Sequence, residues 1–373
     1  MVGWALLADS IPLYPLYALL FADTGLTDAE ISALFAIWGA VGLAAEVPSG
    51  ALADRYSRRS CLVVAGLLQA GGFALWVTLP GFAGFAAGFV AWALGGALIS
   101  GAQEALLYDG LAAVGAEEHY ARVQGRVVSA ELLSQVPATL AATALYALGG
   151  YPLVGWVSVG VALGASAFAT LLPEPARTDA DDGGDGDGYV ATLVGGVREA
   201  AASRPVRTAL VAAAVVGGFD AVDEYFPLLA QDQGVPVELV PSAMLVIAVA
   251  GAAGAACGGV AMRLPPWALG LVFGGSLVLF GGSGLLGYPA GLVVVAVFYG
   301  LYCLVLVVVD ARLQERIDGS ARATVTSVAG FGVETVGLVF FGVWAAGGPA
   351  AIVGVWLLAA LALPWWLRAR PLR

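Results

Sequence analysis

The nineteen residues from Gly291 to Val309, GLVVVAVFYGLYCLVLVVV, contain no charged side chain. A helix needs roughly 20 apolar residues to cross the hydrocarbon core of a bilayer. A transmembrane strand would instead alternate apolar and polar residues, because its two faces meet lipid and lumen. An unbroken apolar run of this length therefore predicts a membrane-spanning helix.

The composition of the whole chain agrees with this stretch. Of the 373 residues, 60% are hydrophobic and 12% are charged, whereas a soluble domain has about a quarter of its residues charged. A core built from a chain of this length cannot hide so much apolar surface from water. The surplus is expected to face lipid, so the predicted fold class is an all-α integral membrane protein.

Twelve segments suited to crossing a bilayer follow one another, and we number them in chain order as spans 1 to 12. Little chain remains between them, so we expect no sizeable soluble domain. Span 1 has neither a basic leader nor a cleavage site, and we expect it to be retained as a helix. The predicted spans cover residues 3–22, 30–53, 60–79, 84–110, 122–148, 153–172, 206–230, 239–262, 267–286, 290–311, 323–346 and 349–367.

Arginine placement tests this topology, since all 16 basic residues are arginines. With a cytoplasmic amino terminus, every arginine falls in a cytoplasmic loop, at the adjoining end of a span or in the carboxy-terminal tail. The opposite loops, such as 23–29 and 231–238, contain none. Short cytoplasmic loops are enriched in basic residues. We therefore predict a multi-pass protein of the cell membrane with both termini cytoplasmic.

The connection after span 6 differs from the others because it contains DADDGGDGDG at Asp179–Gly188. Glycine and aspartate without apolar residues cannot offset the entropy lost on ordering. The sequence thus predicts a six-helix bundle at 1–172, a flexible acidic cytoplasmic linker at 173–205 and a second six-helix bundle at 206–373.

The two bundles also repeat one another, which predicts a pseudo-symmetric pair. A parallel repeat of six helices is a transporter architecture. The matching elements are Gly50–Arg55 with Gly258–Arg263, Asp109 with Asp310, and Glu131 with Glu334.

The loop between spans 2 and 3 reads GALADRYSRR, residues 50–59. It resembles the loop signature of the major facilitator superfamily, commonly written G-x-L-a-D-r-x-G-r-[RK]. With the six-plus-six layout and the linker, the resemblance covers the whole chain. Ser57 stands where the signature has glycine, which we expect to loosen the turn. The residues that match are Gly50, Leu52, Asp54, Arg55, Arg58 and Arg59.

The resemblance implies a secondary active transporter that moves a small solute by alternating access. It also implies that the loop forms a conformational latch, in which the arginines pair with Asp54 and with Asp109 at the inner end of span 4. The second half has Met262 where Asp54 would correspond, so its latch is expected to be weaker or absent. The alternative is that these arginines only anchor the topology.

Acidic residues within or beside the spans are the main candidates for chemistry, because an ionisable group in a bilayer is costly unless paired or hydrated. No basic residue lies deep enough to pair with the central acids. They are therefore either protonated, because burial disfavours the charged form, or exposed to a wet cavity that attracts cations. Asp220, about midway along span 7, is the leading candidate for exchanging a proton for a cationic substrate.

In the family resembled, spans 1, 4, 7 and 10 line the cavity, which sorts the remaining candidates. We expect Asp223 and Glu224 either there or at the outer mouth. Other aromatic residues, Tyr299 and Tyr302 among them, are expected in interfacial belts or packing. The cavity, substrate or proton site is assigned to Asp9, Gln103, Glu104, Asp220, Asp223, Glu224, Tyr14 and Tyr225. The possible structural or coupling acids are Glu46, Glu131, Asp310 and Glu334.

The predicted function is proton-coupled transport of a cationic or neutral compound, with export favoured by the resemblance alone. One alternative is an integral membrane enzyme acting on lipid, which would need a nucleophile or metal cluster at the interface. The other is a transport-inactive sensor or scaffold on the same fold, which should carry an added soluble domain. We expect no metal, no cofactor and no nucleic-acid partner, given a net charge of −11, and we expect a monomer.

Overall fold

The computed structural model describes residues 1–175, 203–317 and 322–368. Over these ranges the chain is almost entirely helical, and no strand occurs in them. Most of the predicted linker, at 176–202, lies outside the described residues. Its flexibility therefore stays a prediction.

The first half contains spans 1 to 6. Spans 5 and 6 form one helical segment that Gly149 and Gly150 interrupt, with Gly150 at a φ of 61°. Only glycine adopts such a positive φ without strain, so this pair separates the two spans. The helices are Val2–Ala8 and Tyr17–Asp23 in span 1, Asp28–Arg55, Arg58–Thr78, Phe82–Ala112 and Tyr120–Ala169.

The second half repeats this arrangement in spans 7 to 12. Gly347 and Gly348 separate spans 11 and 12, and Gly348 has a φ of 58°, close to that of Gly150. The helices are Arg204–Gly217, the 3₁₀ segment Gly218–Tyr225 and Phe226–Asp232 in span 7, Val240–Ala256 and Gly258–Ala261 in span 8, Pro266–Ser283, Ala290–Gln314 and Arg322–Trp366.

The hydrophobic lengths agree with a membrane fold. Nine helices in the described part are long and apolar enough to cross a bilayer. Two of the nine contain two spans each, and span 1, which is broken into short pieces, supplies the twelfth crossing. The predicted all-α membrane fold is confirmed.

Contacts divide the chain into two compact units, Met1–Gly188 and Tyr189–Arg373. In the first unit, span 4 packs on spans 2 and 3, and rings around Trp76 and Phe89 fill the core. In the second, span 10 packs on spans 8 and 9, and Phe219 is surrounded by rings such as Phe340 and Trp356. Each unit thus has an aromatic core of its own.

Span 1 is not the continuous helix predicted at 3–22. Residues 9–16 form turns between its two short helices. Pro12 and Pro15 lie in this stretch, and proline lacks the N–H that an α-helix needs. These two prolines were the available signal for the break. Asp9 and Tyr14 consequently lie on irregular backbone.

Span 7 is also interrupted, against the prediction of one helix at 206–230. The eight residues Gly218–Tyr225 wind as a 3₁₀-helix, whereas such helices rarely exceed three or four residues. Gly217 precedes this stretch, Gly218 begins it and Pro227 follows it. Asp9 in span 1 and Asp220 in span 7 therefore both lie where their span departs from an α-helix.

Candidate functional site

Three of the predicted acids, Asp220, Asp223 and Glu224, lie in the 3₁₀ segment that interrupts span 7. Asp220 and Glu224 are half-buried, and Asp223 is exposed. A 3₁₀-helix has three residues per turn, so side chains three apart lie on one face. The winding therefore brings Asp220 and Asp223 to the same face, which an α-helix would not align as closely.

Asp220 is held by span 10. The Tyr299 hydroxyl donates to Asp220 Oδ1 at 3.2 Å. The Tyr302 hydroxyl donates to the carbonyl oxygen of Val216 at 3.0 Å and also interacts with the Asp220 carboxyl. Tyr302 thus binds a carbonyl of the last α-helical turn before the break. Both tyrosines therefore contact the Asp220 carboxyl, which the sequence did not predict, and the buried Tyr302 ring also packs on Phe219, as the sequence analysis expected.

Tyr225 does not take the position expected of a cation contact. Its side chain is fully buried, and its ring stacks on Trp344 with centroids 3.8 Å apart. A fully buried ring is closed to a cation, so Tyr225 belongs to the core of the second unit.

The first unit brings acids from spans 1 and 5 together. Gln103 in span 4 donates from Nε2 to Glu131 Oε1 at 2.8 Å. Gln135 donates from Nε2 to Asp9 Oδ2 at 3.4 Å, and Glu131 also acts electrostatically on Asp9. Sequence reasoning missed Gln135, although it lies one helical turn after Glu131. The result is a polar cluster that links three spans.

The remaining acids are dispersed. Glu104 is exposed and accepts from Gln124 Nε2 at 3.5 Å. Glu46 is exposed, and its backbone carbonyl accepts from the Ser49 hydroxyl at 2.8 Å. Asp310 and Glu334 are exposed as well. The bonds described for Glu46 and Glu104 thus go to Ser49 and Gln124 rather than to Asp9 or Asp220.

Aromatic rings form a column beside Asp9. Tyr14 stacks on Trp92 at 5.2 Å with 21° between the rings, and Trp92 stacks on Trp38 at 5.3 Å. All three side chains are half-buried. The Asp9 carboxyl lies close enough to act electrostatically on the Tyr14 hydroxyl. Ring faces next to a carboxylate suit an organic cation.

We call the side of each unit where its arginines lie the arginine-bearing side. In the first unit this side contains an ion pair between Arg58 and Asp109, whose side chains are 13% and 33% exposed. Arg58 Nη1 also donates to the Ala105 carbonyl at 3.3 Å. Leu52 is exposed. The side chains of the other predicted latch residues, Gly50, Asp54 and Arg55, lie outside the described residues. Arg58 and Asp109 thus form the described part of the predicted latch.

Ser57, which was expected to loosen the turn relative to glycine, makes side-chain bonds within it. Its side chain caps the helix of span 3 by accepting from the Ser60 N–H at 3.0 Å, and its φ of −64° does not call for glycine. The Ser57 hydroxyl also donates to Glu174 Oε2 at 2.5 Å. Arg59 Nε lies 3.9 Å from the same carboxylate oxygen. The turn is therefore connected to the end of span 6.

The second unit makes different contacts on its arginine-bearing side. Arg312 Nη2 donates to the carbonyl oxygens of Leu264 at 2.5 Å and Met262 at 3.4 Å. Arg316 donates to the Leu367 carbonyl at 2.6 Å and to the Trp366 carbonyl at 3.1 Å. In the second unit the arginines bind backbone carbonyls at the ends of other helices. In the first unit, by contrast, Arg58 binds a carboxylate.

Comparison with known proteins adds the family context. The family model described as Major Facilitator Superfamily matches residues 2–342. Two uncharacterized MFS-type transporters of Mycobacterium tuberculosis, from strains CDC 1551 / Oshkosh and ATCC 25618 / H37Rv, are each 35% identical over 170 residues. That match covers 46% of this chain and 39% of either relative. The aligned segment is therefore less than half of these relatives.

Solved structures resemble this chain over nearly its full length. A bacterial homolog of the human lysosomal transporter Spinster has a TM-score of 0.73 at 14% identity, covering 100% of this chain and 97% of that one. The nucleoside transporter NupG scores 0.70 at 13% identity, covering 98% and 96%. A D-xylose-proton symporter scores 0.68 at 13% identity, covering 97% and 94%. At these identities the likeness shows the fold alone.

Proposed function

The chain belongs to the Major Facilitator Superfamily, and on this premise we propose that it exchanges protons for an organic cation across the cell membrane. Family membership makes it a membrane transporter of small solutes rather than an enzyme. The alternative of an enzyme acting on lipid is therefore set aside. The proposal concerns the coupling ion, the substrate class and the direction, which we take to be export.

One observation carries the proton coupling: Asp220 lies in the break of span 7 against the Tyr299 hydroxyl, 3.2 Å away. A phenol hydroxyl both donates and accepts hydrogen bonds. It therefore stays a partner of the carboxyl whether or not Asp220 carries a proton. The spans of the second half contain no lysine, histidine or arginine between Arg207 and Arg263 or between Arg263 and Arg312. A proton is thus a suitable charge-balancing partner for this carboxyl.

The substrate class rests on the first unit. A carboxylate at Asp9 and the half-buried column of Tyr14, Trp92 and Trp38 provide charge and ring faces together. Cations bind over aromatic rings, with a gain of roughly 0.5–2 kcal/mol that grows as water is removed. A planar cation matches these two features better than a neutral sugar or nucleoside does.

The proposal also includes the latch and the side of the membrane on which the termini and the linker lie. We place both termini and the 173–205 linker in the cytoplasm, because all 16 basic residues then lie on that side. The Arg58–Asp109 pair, with Asp54 and Arg55, is proposed to stabilise one conformation from that side. A cysteine introduced at Gly184 should resist a membrane-impermeant maleimide applied to intact cells, and rapid labelling would contradict this topology.

Purified protein in proteoliposomes tests the function. Ethidium serves as the planar cation, and D-xylose and uridine serve as neutral probes under the same imposed pH gradient. We expect pH-gradient-driven ethidium movement that Asp220→Asn abolishes, while Glu238→Gln, which changes an exposed loop acid, leaves it intact. Unchanged coupling in Asp220→Asn refutes the role of Asp220. Failure to move any of the three probes favours the sensor or scaffold alternative.

A further inference from the structure

The Tyr299 ring stands against span 8 at a position without a side chain. A Cβ built on Gly251 would lie 2.7 Å from Tyr299 Cε1, 2.8 Å from Cδ1 and 3.2 Å from Cys303 Sγ. Carbon atoms in contact are ordinarily about 3.5–4.0 Å apart. Gly251 itself is buried. The space that the ring occupies is therefore available only because residue 251 is glycine.

The ring is also supported on the side of span 7. Phe226, which follows the 3₁₀ segment, meets Tyr299 edge to face with centroids 5.1 Å apart. The Tyr302 ring lies 5.8 Å away on the same helix. Neighbours on spans 7, 8 and 10 keep the ring from turning away from Gly251 by itself. A methyl group added at residue 251 therefore shifts the whole ring and its hydroxyl.

We propose that Gly251 is a positioning residue, which sets the Tyr299 ring so that its hydroxyl reaches Asp220. A methyl group at residue 251 pushes the ring by roughly 1 Å to restore ordinary carbon contacts. Because the ring is rigid, its hydroxyl moves with it. A shift of this size changes the distance and angle of the Tyr299–Asp220 hydrogen bond, 3.2 Å long here, and weakens it.

Two other glycines supply matched comparisons. Gly259 follows in the same span, and a Cβ there would meet nothing within 4 Å. Gly254 sits where a Cβ would strike the backbone oxygen of Gly300. Gly259→Ala therefore controls for the change of residue type. Gly254→Ala pushes spans 8 and 10 apart, so it shows how the transport rate responds to separation of these helices in general.

The transport part of the test rests on the proposed role of Asp220. In the ethidium assay, we expect Gly251→Ala and Tyr299→Phe each to lower the rate about tenfold, with the double variant no worse than either. Such non-additivity marks two residues acting through one contact. Gly259→Ala should behave like the parent protein. A loss near a hundredfold in the double variant, or a Gly251→Ala variant that matches Gly259→Ala, overturns the inference.

Thermal unfolding of the purified protein separates this inference from the function. The same double-mutant cycle, measured as shifts in Tm, should be non-additive even if Asp220→Asn leaves coupling intact or ethidium is not moved. Additive shifts contradict the positioning role. If Gly251→Ala fails to fold, Tyr299→Leu in that background removes the clashing ring and should restore folding. Continued failure then also contradicts the proposal.

Discussion

The two halves share one layout and use different chemistry at matching places. In the first half, side-chain amides link carboxyls across spans, from Gln103 to Glu131 and from Gln135 to Asp9. In the second half, tyrosine hydroxyls of span 10 meet Asp220 at the break in span 7. In the orientation found here, each glutamine donates its N–H, and that bond is strongest to a charged carboxylate. A phenol serves either protonation state, which suits the second half to carrying a proton.

The arginine-bearing sides differ in the same manner. Arg58 in span 3 meets the Asp109 carboxylate of span 4, whereas Arg312 in span 10 meets backbone carbonyls of Met262 and Leu264. The arginine thus lies in span 3 in the first half but in span 10, which corresponds to span 4, in the second half. A neutral acceptor is what a weaker second latch would have, and that weakness stays a prediction. Among the residues that the structure describes, the first half has the ion pairs Arg58–Asp109 and Arg59–Glu174 on this side.

The largest effect should separate the two acid clusters. We expect Asp220→Asn to reduce pH-gradient-driven ethidium movement by at least about a hundredfold, because the titrating group is removed. Glu131→Gln should reduce it by less than about tenfold, because Gln103 can still bind the new amide oxygen. Initial rates in proteoliposomes provide the measurement. Equal losses of rate in the two variants would contradict the proposal that the second half, rather than the first, carries the proton.

Next in size is the ion pair on the arginine-bearing side. Asp109→Asn removes the carboxylate from the Arg58–Asp109 ion pair, and we expect about a tenfold fall in maximal rate with ethidium affinity within a few-fold. Asp54→Asn should act in the same direction. Exchanging the charges, with Arg58→Asp and Asp109→Arg together, should recover part of the rate. A change in affinity alone would assign these residues to substrate binding.

A smaller effect is expected at Arg312. Arg312→Gln removes charge-assisted bonds to two carbonyls, and bonds of this kind contribute about 1.5–3 kcal/mol each. Since the acceptors are neutral and a glutamine can satisfy one of them, the expected result is a Tm lowered by several degrees with little change in rate. Differential scanning fluorimetry of this variant beside Asp109→Asn makes the comparison. A rate loss equal to that of Asp109→Asn would show a working second latch.

The smallest effect concerns the cap in the first half. Ser57→Ala loses the bond to the Ser60 N–H, and loss of an N-cap typically costs about 1 kcal/mol. It also removes the hydroxyl bound to Glu174. Ser60→Ala keeps the N–H and serves as the control. A Tm for Ser57→Ala that matches the Ser60→Ala control would mean that water replaces the cap without loss.

Much of the fold could be predicted from properties averaged over short stretches of the chain. Hydropathy over about 20 residues identified the membrane class and separated span 5 from span 6 and span 11 from span 12, whereas the glycine pairs at these separations came from the structure. The 50–59 motif and the echo between the halves indicated the family. The break in span 1 was also legible in Pro12 and Pro15 but was missed. An apolar average does not register a change of backbone geometry, so the 3₁₀ winding of span 7 was missed as well.

The sequence by itself determined the membrane class, the twelve spans, the one-sided arginines and the identity of the candidate acids. These depend on composition and order alone. Only the tertiary structure decided which side chains meet: Tyr299 with Asp220, Gln135 with Asp9, and Ser57 with Glu174. Such pairs depend on how each helix is rotated about its axis and how closely glycines let neighbouring helices approach. That information exists only once the helices have packed.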